Sequence, residues 1–328
     1  MRKNLLGRTG LQVSEIAFGA GVTGGILIKG DETDAVRALK QALAIGINWI
    51  DTAALYGDGA SEATIGRHIH ALDPQPSVST KVRIERDQMN DIPGAIERSL
   101  EQSLKRLNLD QVALFQLHNQ LGEAVGDRPQ LTAQQVLAAG GVADTFDRLK
   151  KQGLFRASGI TAAGETNAIL DVIDSGRFDC AQVYYNALNP SAGWLRAHEN
   201  WRAQDFSGII AACFHQHMGV LNIRIFAGGP LAKPTRPARL AVLTSGTDVD
   251  NEVRCAAAVR AVLGPDYGSP AQVALRFALG NHDLATRVIG VGDLNDLDEA
   301  LAAVEAGPLP TEAVKKLEQL WATDFRAL

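Results

Sequence analysis

The chain has 328 residues, 46% of them hydrophobic and 21% charged, the composition of a soluble globular protein with ample material for a buried core. A formal net charge of -5 with interspersed signs argues against nucleic acid or an anionic membrane surface as the main partner. Three scattered cysteines, Cys180, Cys213 and Cys255, lack metal-type spacing and suit a reducing compartment; no apolar run approaches the roughly 18 residues of a membrane helix, and Met1-Arg2-Lys3-Asn4 leads into no apolar signal segment. A cytoplasmic protein is expected.

Short apolar runs alternate with amphipathic stretches from end to end. Residues 13–20 read as a first strand after a Gly7-Arg8-Thr9-Gly10 turn that closes a small hairpin. Residues 31–44 read as a helix, with Val36, Leu39 and Leu43 on one face and Gly46 as its terminator. A strand over 47–52 and a helix over about 61–70 follow. The third strand is 77–82. The next helix, 91–107, stacks Ile92, Ile96, Leu100 and Leu104 at i, i+4 spacing and places Pro93 in its first turn.

Further strands are expected at 112–117, 155–161 and 180–185, with a helix before the second of these ended by Gly153. Residues 206–217 fit a helix, because Phe206, Ile209, Ile210 and Cys213 share a face; strand seven is then 220–225 and strand eight 286–291. Helices over about 293–306 and after Pro310 complete the chain. Eight strands separated by helices, with no break in composition, predict an α/β fold: a (β/α)8 TIM barrel with an N-terminal hairpin, as one domain over residues 1–328. A doubly wound open sheet is the alternative, but Gly19-Ala20-Gly21 lacks the third glycine of a Gly-x-Gly-x-x-Gly turn. Two long segments, 120–139 and 227–250, fall on the C-terminal side of strands and read as functional loops, the second as a lid.

In a barrel, Asp51, Lys81 and His118 fall at the C-terminal ends of strands two, three and four, with Tyr56 just beyond, so the four converge at one mouth. A lone tyrosine has a pKa of about 10 and is a poor acid at neutral pH, whereas a neighbouring ammonium favours its phenolate. The set reads as a proton-transfer site. Tyr56 is the general acid or base, Lys81 tunes it, Asp51 holds the ammonium, and His118 donates a hydrogen bond to the substrate oxygen. None of these groups accepts two electrons, so a nicotinamide is implied as hydride carrier.

Leu6-Gly7-Arg8-Thr9-Gly10-Leu11-Gln12-Val13-Ser14, Gly46-Ile47-Asn48-Trp49-Ile50-Asp51-Thr52-Ala53 with Tyr56-Gly57 and Ser61-Glu62, and Leu117-His118-Asn119 together resemble the aldo-keto reductase superfamily over nearly the whole chain. Gly219-Val220-Leu221-Asn222-Ile223-Arg224 followed by Ala227-Gly228-Gly229-Pro230-Leu231 is similar to the subgroup of aldose and pyridoxal dehydrogenases. The resemblance implies a Tyr-Lys-Asp-His tetrad that reduces carbonyls, or oxidises alcohols and lactols, with NAD(P). It implies cofactor contacts at Gly21, Asp51, Thr161, Gln182, Ile223, Arg224, Phe226, Gly228, Gly290, Gly292, Asp293 and Asp296. Gly159-Ile160-Thr161-Ala162 departs from the family's Gly-x-Ser-Asn, and Ile223 stands where an aromatic often stacks on the nicotinamide, so weaker cofactor affinity is expected.

The segment Gly290-Val291-Gly292-Asp293-Leu294-Asn295-Asp296 has no base where superfamily members that prefer NADP usually carry one, and Asp293 is expected to cap the following helix. NAD is therefore favoured, unless Lys233, Arg236 or Arg287 reaches the adenosine. Two other functions remain open at this stage: a Schiff-base lyase using Lys81, and a non-catalytic nicotinamide-binding sensor or partner subunit. His68/His70 and His215/His217 are i, i+2 pairs that point to different helix faces and read as non-metal residues, and Trp194 and Trp201 read as packing. The substrate, a small carbonyl compound or sugar, and the oligomeric state are left open.

Overall fold

The computed structural model describes residues 1–124, 129–233 and 244–326. A hairpin, β1 (Lys3–Leu5) and β2 (Gln12–Ser14), precedes eight parallel strands that close into a barrel in the order β10-β11-β12-β3-β4-β5-β6-β9. The barrel strands are β3 (Ile16–Gly19), β4 (Trp49–Asp51), β5 (Ser77–Val82), β6 (Val112–Leu117), β9 (Phe155–Ala162), β10 (Cys180–Tyr184), β11 (Gly219–Ile223) and β12 (Thr286–Gly290). A short parallel pair, β7 (Gln120–Leu121) and β8 (Gln130–Leu131), lies in the first long segment. The expected (β/α)8 barrel is observed, and the open-sheet alternative falls.

Helices pack around the strands: α1 (Ile26–Lys29), α2 (Glu32–Ala44), α3 (Ala60–His68), α4 (Ile92–Leu107), α5 (Ala133–Leu137) and α6 (Val142–Lys151) in the first half. The second half adds α7 (Thr166–Asp174), α8 (Ile209–His215), α9 (Val249–Leu263), α10 (Pro270–Leu279), α11 (Asn295–Ala306) and α12 (Thr311–Ala322). None of the described helices is long and apolar enough to cross a membrane.

Caps set several boundaries. Asp31 accepts the Asp34 amide at 2.8 Å and starts α2, and Asp91 accepts the Gly94 amide at 3.0 Å and starts α4. The predicted first strand, 13–20, is instead two strands. Ser14 bends the chain between them: its hydroxyl donates to Ile16 O at 2.6 Å and its amide to Asn48 Oδ1 at 2.7 Å. The predicted strand 47–52 shortens to β4, because the Ile47 amide is drawn back to Ala42 O at the end of α2. The sequence reading assigns no helix at α1, α5, α7, α9 or α10; α5 falls inside the segment 120–139 read as a loop, and the segment 227–250 ends inside α9.

The hairpin closes the N-terminal end of the barrel. Leu6, Leu11 and Val13 are buried against Trp49, Leu114, Cys180 and Leu221. Gly7 passes so near β11 that a Cβ would lie 2.2 Å from Gly219 N, so no other residue fits there. Arg8 clamps the joint, donating to Gly176 O and Phe178 O at 2.8 Å and to Gln216 O at 3.0 Å. With that end plugged, the opposite mouth is the accessible one.

The α3 helix ties the mouth together from outside. Glu62 is fully buried, accepts from the Thr80 hydroxyl on β5, and pairs with Arg106 of α4 at 2.7 Å. Removing one partner of such a pair strands a charge in the interior. Arg106→Met is therefore expected to destabilise the fold by about 3 kcal/mol, read as a lower urea midpoint; a midpoint within error of wild type would contradict the pairing.

Candidate active site

Side chains alternate across a strand, so Trp49 and Asp51 on β4, Ser79 and Lys81 on β5, and Gln182 on β10 all reach into the barrel. Parallel register sets Asp51 beside Ser79, and Lys81 beside Gln116 of β6. The Lys81 ammonium is fully buried and donates three hydrogen bonds: to Asp51 Oδ2 at 2.7 Å, to Thr52 O at 2.7 Å and to the Tyr56 hydroxyl at 3.2 Å. Burial works to lower its pKa, but Asp51 and Tyr56 outweigh burial and hold it above the ordinary range. The group stays charged.

Asp51 is saturated in turn. Its Oδ1 accepts from the Ser79 hydroxyl and from Gln182 Nε2, both at 2.7 Å. His118 follows β6 directly, anchored by its amide to Val82 O at 2.7 Å, and its ring meets that of Tyr56 edge-on at 5.7 Å. Burial first, then the positive charges of Lys81 and Arg83, push the His118 pKa down to about 3. Its imidazole is neutral at physiological pH.

A cavity of about 630 Å³ opens above this cluster. Asp51, Tyr56 and His118 line one part of it; Lys81 sits behind them, outside the lining. Gly21, Thr161, Gln182, Ile223, Arg224, Phe226, Gly228, Gly290, Gly292, Asp293 and Asp296 line it too, so the structure brings the sequence-derived residues to one surface. Thr161 Oγ1 is buried there without a hydrogen-bond partner among the described residues. Sequence reasoning missed Thr23, Gly24 and Glu299 as lining residues. Gly24 carries a readable signal, since a Cβ would meet Val291 N at 2.3 Å and only glycine lets this segment cross the end of β12.

Several expectations change in detail. Asp293 accepts the Asn295 amide at 2.9 Å, but α11 starts after Leu294 without a side-chain cap. Asp296, one turn later, takes the Gly292 and Asp293 amides at 2.7 and 3.2 Å, so the Gly292 N–H is already used. The Gly229 amide, in the segment expected to act as a lid, donates to Phe226 O at 2.8 Å. Arg287 cannot reach an adenosine at this mouth: it is 1% exposed, outside the cavity lining, and its guanidinium is held by Ala278 O and Asn281 O. Lys233 does line the cavity. Arg236 and the rest of residues 234–243 of the expected lid lie outside the described residues, as do 125–128 of the other long segment.

Arg224 adopts φ 61° and Ala227 φ 51° where β11 turns into this wall, uncommon values for residues with side chains. The remaining residues weighed from the sequence fall elsewhere. His68 pairs with Glu32 at 2.9 Å, His70 bonds Asn108 O, and no group of three metal-type ligands occurs among the described residues. Trp194 packs edge-on against Trp201 and Trp321, away from the cavity.

A sequence model of the Aldo/keto reductase family matches residues 15–322. The chain belongs to that family. Among curated relatives, L-galactose dehydrogenase of Arabidopsis thaliana is 25% identical over 305 residues, covering 91% of this chain and 86% of that protein. Among solved structures, the holo form of the aldo-keto reductase AKR11C1 from Bacillus halodurans has a TM-score of 0.75 at 23% identity, covering 98% of this chain and 97% of that one. A Klebsiella pneumoniae aldo-keto reductase in complex with NADPH has a TM-score of 0.69 at 18% identity, over 98% and 96% of the two chains. At these identities the structural likeness speaks to the fold.

The low His118 pKa has a measurable consequence. A histidine held neutral in the fold, at about 3 against an ordinary 6.5, contributes stability that is complete above pH 6.5 and is lost as pH falls toward 3. His118→Asn should therefore lose stability less steeply than wild type between pH 6.5 and 4, followed by thermal unfolding at each pH. Equal slopes would show that the imidazole is not buried neutral.

Proposed function

We propose that this aldo-keto reductase family member interconverts a carbonyl (an aldehyde, a ketone or a sugar lactone) and the corresponding alcohol or lactol with NAD(P), acting as one barrel domain in the cytoplasm. The observation that carries the reading is the Lys81 ammonium, buried between the Asp51 carboxylate and the Tyr56 hydroxyl at the floor of the cavity. An ammonium can only donate, so the Tyr56 oxygen accepts from it and its own O–H is left to face the cavity.

A nicotinamide bound in the cavity would supply the hydride. The residues present suit it: Thr161 Oγ1 is an unpartnered buried group on the lining, and the Gln182 amide already donates its nitrogen to Asp51, leaving its carbonyl for a carboxamide N–H. In the reducing direction Tyr56 gives its proton to the substrate oxygen, and Lys81 stabilises the phenolate that remains. Neutral His118 orients the same oxygen through an N–H. In the oxidising direction the phenolate takes the proton back.

The lyase alternative is weakened by the same geometry. An imine requires a free amine on an accessible lysine, and Lys81 is fully buried, charged and committed to three acceptors. Tyr56→Phe is expected to lower kcat by ~10²- to 10⁴-fold while nucleotide binding is kept. Lys81→Met should move the remaining pH-rate profile to higher pH. Near-normal turnover of Tyr56→Phe would refute the assignment, and tight nucleotide binding with negligible turnover in wild type would favour a sensor.

We also propose a preference for NAD. Asp293, Asp296 and Glu299 bring three carboxylates to the cavity around the start of α11, where a 2′-phosphate would meet like charge and a 2′-hydroxyl an acceptor. With Arg287 turned away, Lys233 and Arg224 are the described bases on the lining that would oppose this. The ratio of kcat/KM for the two cofactors on one substrate, in wild type and in Lys233→Ala, is the test. A clear NADP preference that collapses in Lys233→Ala would assign the phosphate contact to that lysine.

A further inference from the structure

The sequence assigns Ser79 and Trp49 no role of their own, yet they form a directed chain that ends on the Asp51 carboxylate. Trp49 is fully buried in the apolar layer sealed by the N-terminal hairpin. Its indole Nε1–H lies 3.0 Å from Ser79 Oγ, and Ser79 Oγ lies 2.7 Å from Asp51 Oδ1. An indole nitrogen can only donate, so the Ser79 oxygen must accept from it. The hydroxyl proton is then free for an acceptor. Two are near: Asp51 Oδ1 at 2.7 Å and Ile50 O at 3.5 Å. The closer one is also charged, and a charge-assisted bond is the stronger.

We propose that Ser79, oriented by Trp49, is a positioning residue for the proton-transfer site: it holds Asp51 in place, spreads its negative charge and so leaves more of the Lys81 field for the Tyr56 oxygen. The inference rests on the reading of Tyr56, Lys81 and Asp51 given above. The ionisable groups that border the cluster are Lys81 on β5, Tyr56 in the loop after β4, and His118 after β6. Gln182 and Gln116, from β10 and β6, are neutral; the first donates to Asp51 at 2.7 Å and the second lies 3.5 Å away.

The sign follows from Coulomb's law. Without the Ser79 donor, the Asp51 charge is less dispersed and cancels more of the ammonium's field at the phenol. The phenolate is then less favoured. With Trp49→Phe the hydroxyl keeps its proton but loses the donor that aims it, and it can swing toward Ile50 O, so the effect keeps its sign and shrinks.

The test is an ultraviolet titration of tyrosinate in the nucleotide-free protein, each trace corrected by the same protein carrying Tyr56→Phe. Tyr184 and Tyr185 are pushed up to about 12 by burial and stay clear of the window. Ser79→Ala should move the Tyr56 midpoint upward by roughly 0.5–1 pH unit, and Trp49→Phe by less in the same direction. Neither should move it further in an Asp51→Asn background, because the effect passes through that carboxylate. The pH-rate limb of each variant should follow its titration.

An unmoved midpoint in both variants overturns the proposal, as does an equal shift when Asp51 is already neutral. A Trp49→Phe protein that titrates as wild type beside a shifted Ser79→Ala removes the indole from the chain. If one variant fails to fold, the other still decides. The titration needs no turnover, so shifted midpoints in a protein without nicotinamide-dependent activity would sink the functional reading and keep the positioning role.

Discussion

A lysine ammonium with no exposure to water must find acceptors for its protons or lose its charge, and that requirement shapes the mouth of this barrel. Lys81 finds a carboxylate, a backbone carbonyl and a phenol, each on the segment from Asp51 to Tyr56. That segment is held from behind. Ser61 donates its hydroxyl to Ala20 O at 2.9 Å, lies 2.8 Å from Thr52 Oγ1, and gives its amide to Tyr56 O. The next residue, Glu62, secures Thr80, the neighbour of Lys81. Two consecutive residues at the start of α3 thus brace both strands between which the ammonium sits. The pair Ser61-Glu62 touches no part of the cavity that Tyr56 faces, yet the phenol–ammonium distance depends on it.

The other end of the cavity works on different terms. Its glycines admit close backbone approach, but several of their amides are already spent, Gly229 on Phe226 O and Gly292 on Asp296. Side chains supply the remaining polar groups there, with Arg224 and Lys233 as bases and three carboxylates near α11; under the proposed function, recognition would fall to them. Turns built from internal hydrogen bonds make a wall of fixed shape. A wall of that kind selects by the charge it presents more than by amides it can lend.

How much of this was legible depended on whether a signal was local. Strands β5 and β6 have the predicted limits; β6 is an apolar run broken only by Gln116 and flanked by Gln111 and His118, the mark of a strand buried on both faces, whereas β5 carries Ser77, Ser79, Thr80 and Lys81 among its six residues. Asp31 and Asp91 announced their helices by capping chemistry that acts within three residues. The convergence of Asp51, Tyr56, Lys81 and His118 was legible because they fall at or just beyond strand ends, where barrel topology brings neighbours together. What failed was long-range. Arg287 looks available in sequence, but its direction is set by carbonyls at the end of α10. The split at Ser14 depends on Asn48, far along the chain. Ser79 reads as an ordinary strand residue until Asp51 and Trp49 are placed on either side of it.

The deepest division in the site is between two bases with opposite fates. Lys81 lies on β5 and His118 directly after the neighbouring β6; Lys81 is fully and His118 partly removed from water, and burial works against the charged form of each. Lys81 nevertheless stays protonated, because Asp51 sits 2.7 Å away. His118 has no such carboxylate, and the nearest strong charges, Lys81 and Arg83, are of the wrong sign. One carboxylate therefore decides which base carries the charge. The consequence is directional: the ammonium points its protons at Tyr56, the phenol turns its own toward the cavity, and the neutral imidazole adds an N–H without adding charge. In the proposed reaction a substrate oxygen entering between them would meet donors whose orientation is settled before it arrives, the arrangement that lowers the reorganisation a proton transfer must otherwise wait for.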